Sequence, residues 1–133
     1  MSAVDNKRIM QSVFEALEAG DGKPFVDSMS DDISWTISGT TPWSRTYSGK
    51  AVVQRELLRP VFAQFADLFT NRATRFIAED DYVVVESRGR ATTKSGNTYN
   101  NTYCYVCRFA SGRMVEVTEY LDTALVERVL ESP

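Results

Sequence analysis

Cys104-Tyr-Val-Cys107 holds the only two cysteines of a 133-residue chain that contains no histidine. A CxxC pair serves disulfide exchange when it opens a helix, where both sulfurs share a side and the helix dipole lowers one thiol pKa. Here the surrounding residues alternate instead. Tyr99, Asn101, Tyr103, Tyr105, Cys107 and Phe109 fall on odd positions, and Asn100, Thr102, Cys104, Val106 and Arg108 on even ones. That is a period of two, rich in strand-favouring residues. Side chains three apart on a strand point to opposite faces, so the two sulfurs are expected on different sides of a sheet, unbonded. A closed zinc site needs four Cys, His or carboxylate ligands, and this pair is not the start of one. The missing histidines also exclude a Ser-His-Asp triad, a Cys-His pair and a His-Glu-x-x-His site. Any general base must be Asp, Glu, Lys, Tyr or Cys. No metal and no cofactor is expected.

Such groups need a scaffold, and composition bounds it. With 43% hydrophobic residues, the whole span 1–133 reads as one domain large enough to form a core without disulfides or metal. A net charge of −3 offers no basic surface for nucleic acid. The opening MSAVDNKRIM carries charges and no apolar run, and no stretch is long enough to cross a bilayer. Two thiols without a secretory signal fit a reducing cytoplasm. Asn100-Asn-Thr102 has the form of a glycosylation acceptor, which is incidental there.

Apolar spacing predicts the elements. Asp5 to Ala19 places Ile9, Met10, Val13, Phe14 and Leu17 on one helical face, with Gly20 as its stop. A short helix is expected from Pro24, a strand over Asp32 to Ser38, and a long helix over about 50–69, bent at Pro60. Four strands follow, at about 71–79, 82–93, 98–109 and 114–121, then a helix from Thr123 to Leu130 with Asp122 as its cap. Helices followed by hairpin-connected strands predict an α+β domain: a mostly antiparallel sheet curved into a cone around the N-terminal helices, with a short C-terminal helix.

That order resembles the nuclear transport factor 2-like superfamily, in its SnoaL-like and ketosteroid-isomerase-related branch. The likeness rests on the strand carrying Trp35, the YSGKAVV lead into the long helix, and the ending Gly112-Arg-Met-Val-Glu-Val-Thr-Glu-Tyr-Leu-Asp122. It implies a cone with a mainly apolar ligand cavity, dimerised through the outer sheet face. Members include isomerases, polyketide cyclases, epoxide hydrolases, dehydratases and plain binding domains, so fold alone does not settle activity. Alignment with the limonene epoxide hydrolase branch puts apolar pocket residues at Asn101, Tyr103 and Leu121, and the final-strand carboxylate at Glu119. Its water-holding Tyr-x-Asn falls on Trp35-Thr-Ile37, which argues against epoxide hydrolysis.

The resemblance therefore implies an inward constellation. Glu119 is the candidate base, Glu86 and Arg88 are its catalytic companions, and Trp35, Ile37, Asn101, Tyr103, Tyr105 and Leu121 form the substrate-binding wall. A carboxylate beside an Arg in a partly apolar cone can act as a base, while a tyrosine hydroxyl stabilises a dienolate-like oxygen. Plainer readings stand beside this one. Glu86 and Arg88 can form an ordinary solvent-facing strand pair, the tyrosine stripe can be core, and the loop carrying Trp43 and Arg45 either caps the cone or is solvated. Two functions follow: a cofactor-independent proton-transfer enzyme of isomerase, cyclase or dehydratase type acting on a small hydrophobic or polycyclic molecule, or a non-catalytic ligand-binding or dimerisation domain. A homodimer is expected in either case.

Overall fold

The computed structural model describes all 133 residues. Helix α1 spans Ala3–Glu18 and begins with a capping box, in which the Ser2 side chain accepts from the Asp5 amide while the Asp5 carboxylate takes the Ser2 amide. Met10, Val13, Phe14 and Leu17 form its buried stripe. Gly20 ends it with φ +85°, where an added Cβ would stand 2.2 Å from Leu68 Cδ2. Helix α2 (Lys23–Asp27) carries Pro24 in its first turn. Strand β1 (Met29–Ile37) and a short β2 (Thr46–Ser48), which the sequence did not reveal, form an antiparallel pair.

The expected long helix is broken up and shorter. It consists of α3 (Lys50–Val52), a π-helical stretch (Val53–Leu58) and α4 (Arg59–Phe62). Pro60 has no N–H for the carbonyl four residues back and its ring crowds that carbonyl, so the chain widens and the Arg59 amide bonds Gln54 O. Helix is not resumed toward Phe69 because a neighbouring loop takes the backbone: Ala66 donates to Thr92 O, and the Lys94 amide to Gln64 O. Asp67 Oδ1 accepts the Thr92 amide at 2.7 Å.

Strands β3 (Thr70–Glu79), β4 (Tyr82–Arg90), β5 (Thr102–Ala110) and β6 (Arg113–Leu121) complete one six-stranded sheet of order β2-β1-β6-β5-β4-β3. Only the β1–β6 pairing is parallel. Helix α5 (Thr123–Val129) follows, with Asp122 Oδ1 accepting the Leu125 amide. The architecture is α+β, as the sequence predicts. Residues 91–101 continue the β4–β5 hairpin only irregularly: the Tyr99 amide still donates to Ala91 O and the Thr93 amide to Asn97 O, while side chains take other backbone groups. Asn100 Oδ1 takes the Ala91 amide, and Asn101 bonds the backbone of Asp122.

Register decides which residues face the helices. On β4 the buried set is Val83, Val85, Ser87 and Gly89; on β5 it is Tyr103, Tyr105, Cys107 and Phe109. Gly89 is needed for a close approach: a Cβ there would meet Tyr103 Cε2 at 2.8 Å and Phe69 Cε1 at 3.1 Å. Cys107 is buried and Cys104 lies on the other face, half-buried and equally unbonded. Burial pushes the Cys107 thiol up to about 12. In the native state iodoacetamide should therefore leave Cys107 unmodified, and that thiol should react only in denaturant. Mass spectrometry showing native double alkylation would contradict this arrangement.

Candidate active site

Between the sheet and the helices lies a cavity of about 110 Å³. Its floor comes from β1, β5 and β6, through Trp35, Ile37, Tyr103, Tyr105, Glu119 and Leu121. Leu17, Phe25 and Val26 of α1 and α2 close one side; Leu57, Leu58, Val61 and Phe62 of the broken helix close another. Phe65, Phe69 and Tyr99 add rings, while Val126 and Leu130 cover the C-terminal end. The walls are built this way because strands β1, β5 and β6 alternate: each inward position is aromatic, aliphatic, a sulfur side chain or Glu119. Phe62 is 44% exposed and marks the rim.

Glu119 is the cavity's one carboxylate, and no lysine or arginine lines the space. It sits opposite Tyr105 on β5 and Ile37 on β1. Its Oε1 accepts from Trp35 Nε1 at 3.1 Å, while Oε2 accepts no hydrogen bond. Trp35 is itself held by rings, with Phe25 at 5.5 Å and Tyr105 at 6.3 Å between centroids. Burial removes water from the carboxylate and raises its pKa to about 7, the indole bond offsetting only part of the effect. Tyr103 and Tyr105 stack at 5.3 Å, and burial holds both hydroxyls well above the ordinary phenol value. Asn71 donates to the Tyr105 hydroxyl at 3.2 Å, while Asn71 Oδ1 has no partner. The arrangement is a base poised near neutrality with neutral hydroxyl donors beside it. No three Cys, Asp or Glu side chains converge to hold a metal ion.

The model of the SnoaL-like domain family matches residues 10–117. The chain is a SnoaL-like domain. Solved structures share its fold across nearly the full length. Bal32a, from a soil-derived mobile gene cassette, is 19% identical with a TM-score of 0.82, covering 97% of this chain and 98% of that one. A protein assigned as a SnoaL-like polyketide cyclase from Jannaschia sp. CCS1 is 14% identical with a TM-score of 0.79, covering 98% and 94%. TerC, co-crystallised with polyporic acid, is 20% identical with a TM-score of 0.78, covering 96% and 99%. No curated protein matches by sequence.

Within this SnoaL-like domain the residues singled out from sequence separate into two groups. Trp35, Ile37, Tyr103, Tyr105, Glu119 and Leu121 meet around the cavity. Glu86 and Arg88 do not: they lie on the outer face of β4, opposite in pleat to Val85 and Ser87. Glu86 pairs with exposed Arg75 at 3.2 Å, and Arg88 faces solvent beside an open depression. The register is set by Val83 and Val85 packing inward, which turns every even residue of β4 outward. Glu119 therefore has no arginine to keep it ionised. Asn101 is also corrected, from wall to brace. It is buried, but Nδ2 serves the Tyr99 hydroxyl and Asp122 O while Oδ1 takes the Asp122 amide. Asn71, Phe25 and Phe69 were not anticipated, and no local pattern distinguishes Asn71 from any polar residue at a strand start. Trp43 lines the cavity and bonds Glu131 O at 2.9 Å, so its loop is a wall.

Proposed function

We propose that this SnoaL-like domain binds a small apolar molecule in its cavity and moves a proton on it, with Glu119 as the base. The observation that carries this reading is one buried carboxylate, without a counter-ion, facing an aromatic cavity and titrating near 7. Such a group is half ionised at neutral pH, which suits removal and return of a proton at the same carbon. The substrate class is a carbonyl compound with an acidic α-hydrogen. Glu119 Oε2 takes that hydrogen, the developing enolate oxygen is met by the Tyr103 or Tyr105 hydroxyl, and the proton returns from the protonated carboxyl. Asn71 acts through Tyr105, whose oxygen it holds by a hydrogen bond. A cavity of about 110 Å³ favours the small end of the expected ligands; drug-sized and polycyclic molecules occupy roughly 300 Å³ or more. Co-crystallisation of TerC, a protein of the same fold, with polyporic acid is in line with this reading. The test is loss of α-protons from cyclopentanone in deuterated buffer, followed by NMR. Exchange accelerated by the protein supports proton transfer; exchange at the buffer rate across a panel of small ketones removes it.

We further infer a homodimer through the outer sheet face. Thr102, Cys104 and Val106 of β5 lie there, and one row crosses the sheet as Ile77, Val84, Val106, Thr118 and Thr36. On one side of this apolar row stand Arg72, Arg75, Arg88 and Arg90 with Glu86; on the other stand Glu79, Asp80, Asp81 and Glu116 with Arg108. A second copy turned by a two-fold axis sets each charged end over its opposite, around an apolar centre. Light scattering should show a dimer at micromolar concentration, weakened at least about tenfold by Arg88→Glu. A monomer throughout that range excludes it. The free thiols suit a reducing compartment such as the cytoplasm. No helix is long and apolar enough to cross a membrane.

A further inference from the structure

We propose that the cavity of this SnoaL-like domain is selective for a small organic ammonium ion, a primary amine on an apolar frame of about five carbons, held by Glu119 Oε2 among aromatic rings. The proposal rests on the reading in which Glu119 Oε2 faces a bound ligand; an ammonium ion occupies the same oxygen that takes the ketone's α-hydrogen, so the two guests exclude each other.

The charge inventory leads to it. Glu119 is the only carboxylate among the lining residues, and no lysine or arginine accompanies it. One of its oxygens is bonded by Trp35 at 3.1 Å, and the other accepts no hydrogen bond. Arg88, the cation that the sequence offered as its partner, lies on the outer face of β4. An ionised carboxylate held away from water without a counter-ion is costly, and burial, with the Trp35 bond opposing it, moves Glu119 to about 7. A ligand bringing a positive charge removes that cost. A neutral ligand leaves it in place, and an anion adds a second charge of the same sign.

The walls suit the same guest. Trp35, Phe25, Phe69, Tyr103 and Tyr105 surround the space. Ring faces attract an ammonium within ~6 Å of their centroids, most strongly where water is excluded. Size sets the frame: a cavity of about 110 Å³ is somewhat smaller than the ~150 Å³ that accommodates benzene.

A pH signature follows from the groups facing Glu119. These are Tyr99, Tyr103 and Tyr105, all raised above the phenol value by burial and so uncharged below pH 9. Helices α1, α2 and α5, the broken helix, and strands β1 and β3 present only uncharged side chains to the cavity. An amine binds the ionised form of Glu119, so its affinity should rise with pH up to about 7 and then level off.

The experiment compares cyclopentylamine, cyclopentanol and cyclopentanecarboxylate, guests of similar frame, by NMR titration of the full chain between pH 5 and 8. At pH 8 the amine should bind at least about tenfold tighter than the alcohol, and the carboxylate more weakly than either. Amine affinity should fall about tenfold per pH unit below 7 while that of the alcohol stays flat. Glu119→Gln should bring amine and alcohol within about twofold of each other. Equal affinity of amine and alcohol for the wild-type protein at pH 8, or amine binding independent of pH, overturns the proposal. Binding by none of the three overturns it together with the ligand-cavity reading. Ketone exchange is separate: its failure alongside selective amine binding removes proton transfer and leaves this inference standing. Should Glu119→Gln not fold, the wild-type pH profile decides.

Discussion

Glu119→Gln lowers the rate of ketone α-proton exchange by about two to four orders of magnitude, the usual scale for losing a positioned general base. The substitution keeps the shape, and Gln Oε1 still accepts from Trp35 Nε1, a bond of 3.1 Å in the parent. What disappears is the proton affinity near 7. With no histidine in the chain and no other carboxylate lining the cavity, nothing nearby can take over. The loss should appear in kcat, with KM for the ketone changed little, because the amide still fills the space. Exchange unchanged in the variant would remove Glu119 from the mechanism while leaving the cavity as a binding site.

Between pH 4.5 and 8 the protein becomes less stable by about 3 kcal/mol, and Glu119→Gln abolishes most of that loss. The folded pKa of Glu119 is raised from 4.5 to about 7, so the native state binds more protons than the unfolded chain between those values. Stability from this group is complete below 4.5 and declines as pH rises through 7. Asp5, Asp27 and Glu56 are shifted the other way by Ser2, Lys23 and Arg45, and their contributions are lost only in acid, below this window. At pH 8 the variant should therefore melt about 10 °C above the parent, and at pH 4.5 the two should nearly coincide. Calorimetry across that range checks both ends. Parallel curves at all pH values would mean that Glu119 is not buried as a charge.

The sequence by itself determined the elements wherever a short period was unambiguous. Met10, Val13, Phe14 and Leu17 can share a face only on a helix, and the alternation from Thr102 to Phe109 is readable only as a strand, which also settles that Cys104 and Cys107 part. The ending around Glu119 and Asp122 was recognisable because it is a contiguous string with a distinctive pattern. Tertiary structure decided what depends on which face of a strand meets the core. In β4 both parities carry valine, at 83 and 85 and also at 84, so alternation alone could not say whether Glu86 and Arg88 point in or out; packing of Val83 and Val85 decided it. Asn101 and Asn71 are alike as residue types, yet one became a brace for Asp122 and the other a cavity residue, according to partners 21 and 34 positions away. The helix expected to reach Phe69 ends at Phe62 because residues 92–94 claim the backbone that would have continued it. The lack of a cation beside Glu119 has the same origin. Charge in a sequence is only a list, and whether a carboxylate has a counter-ion depends on distances that the fold alone creates.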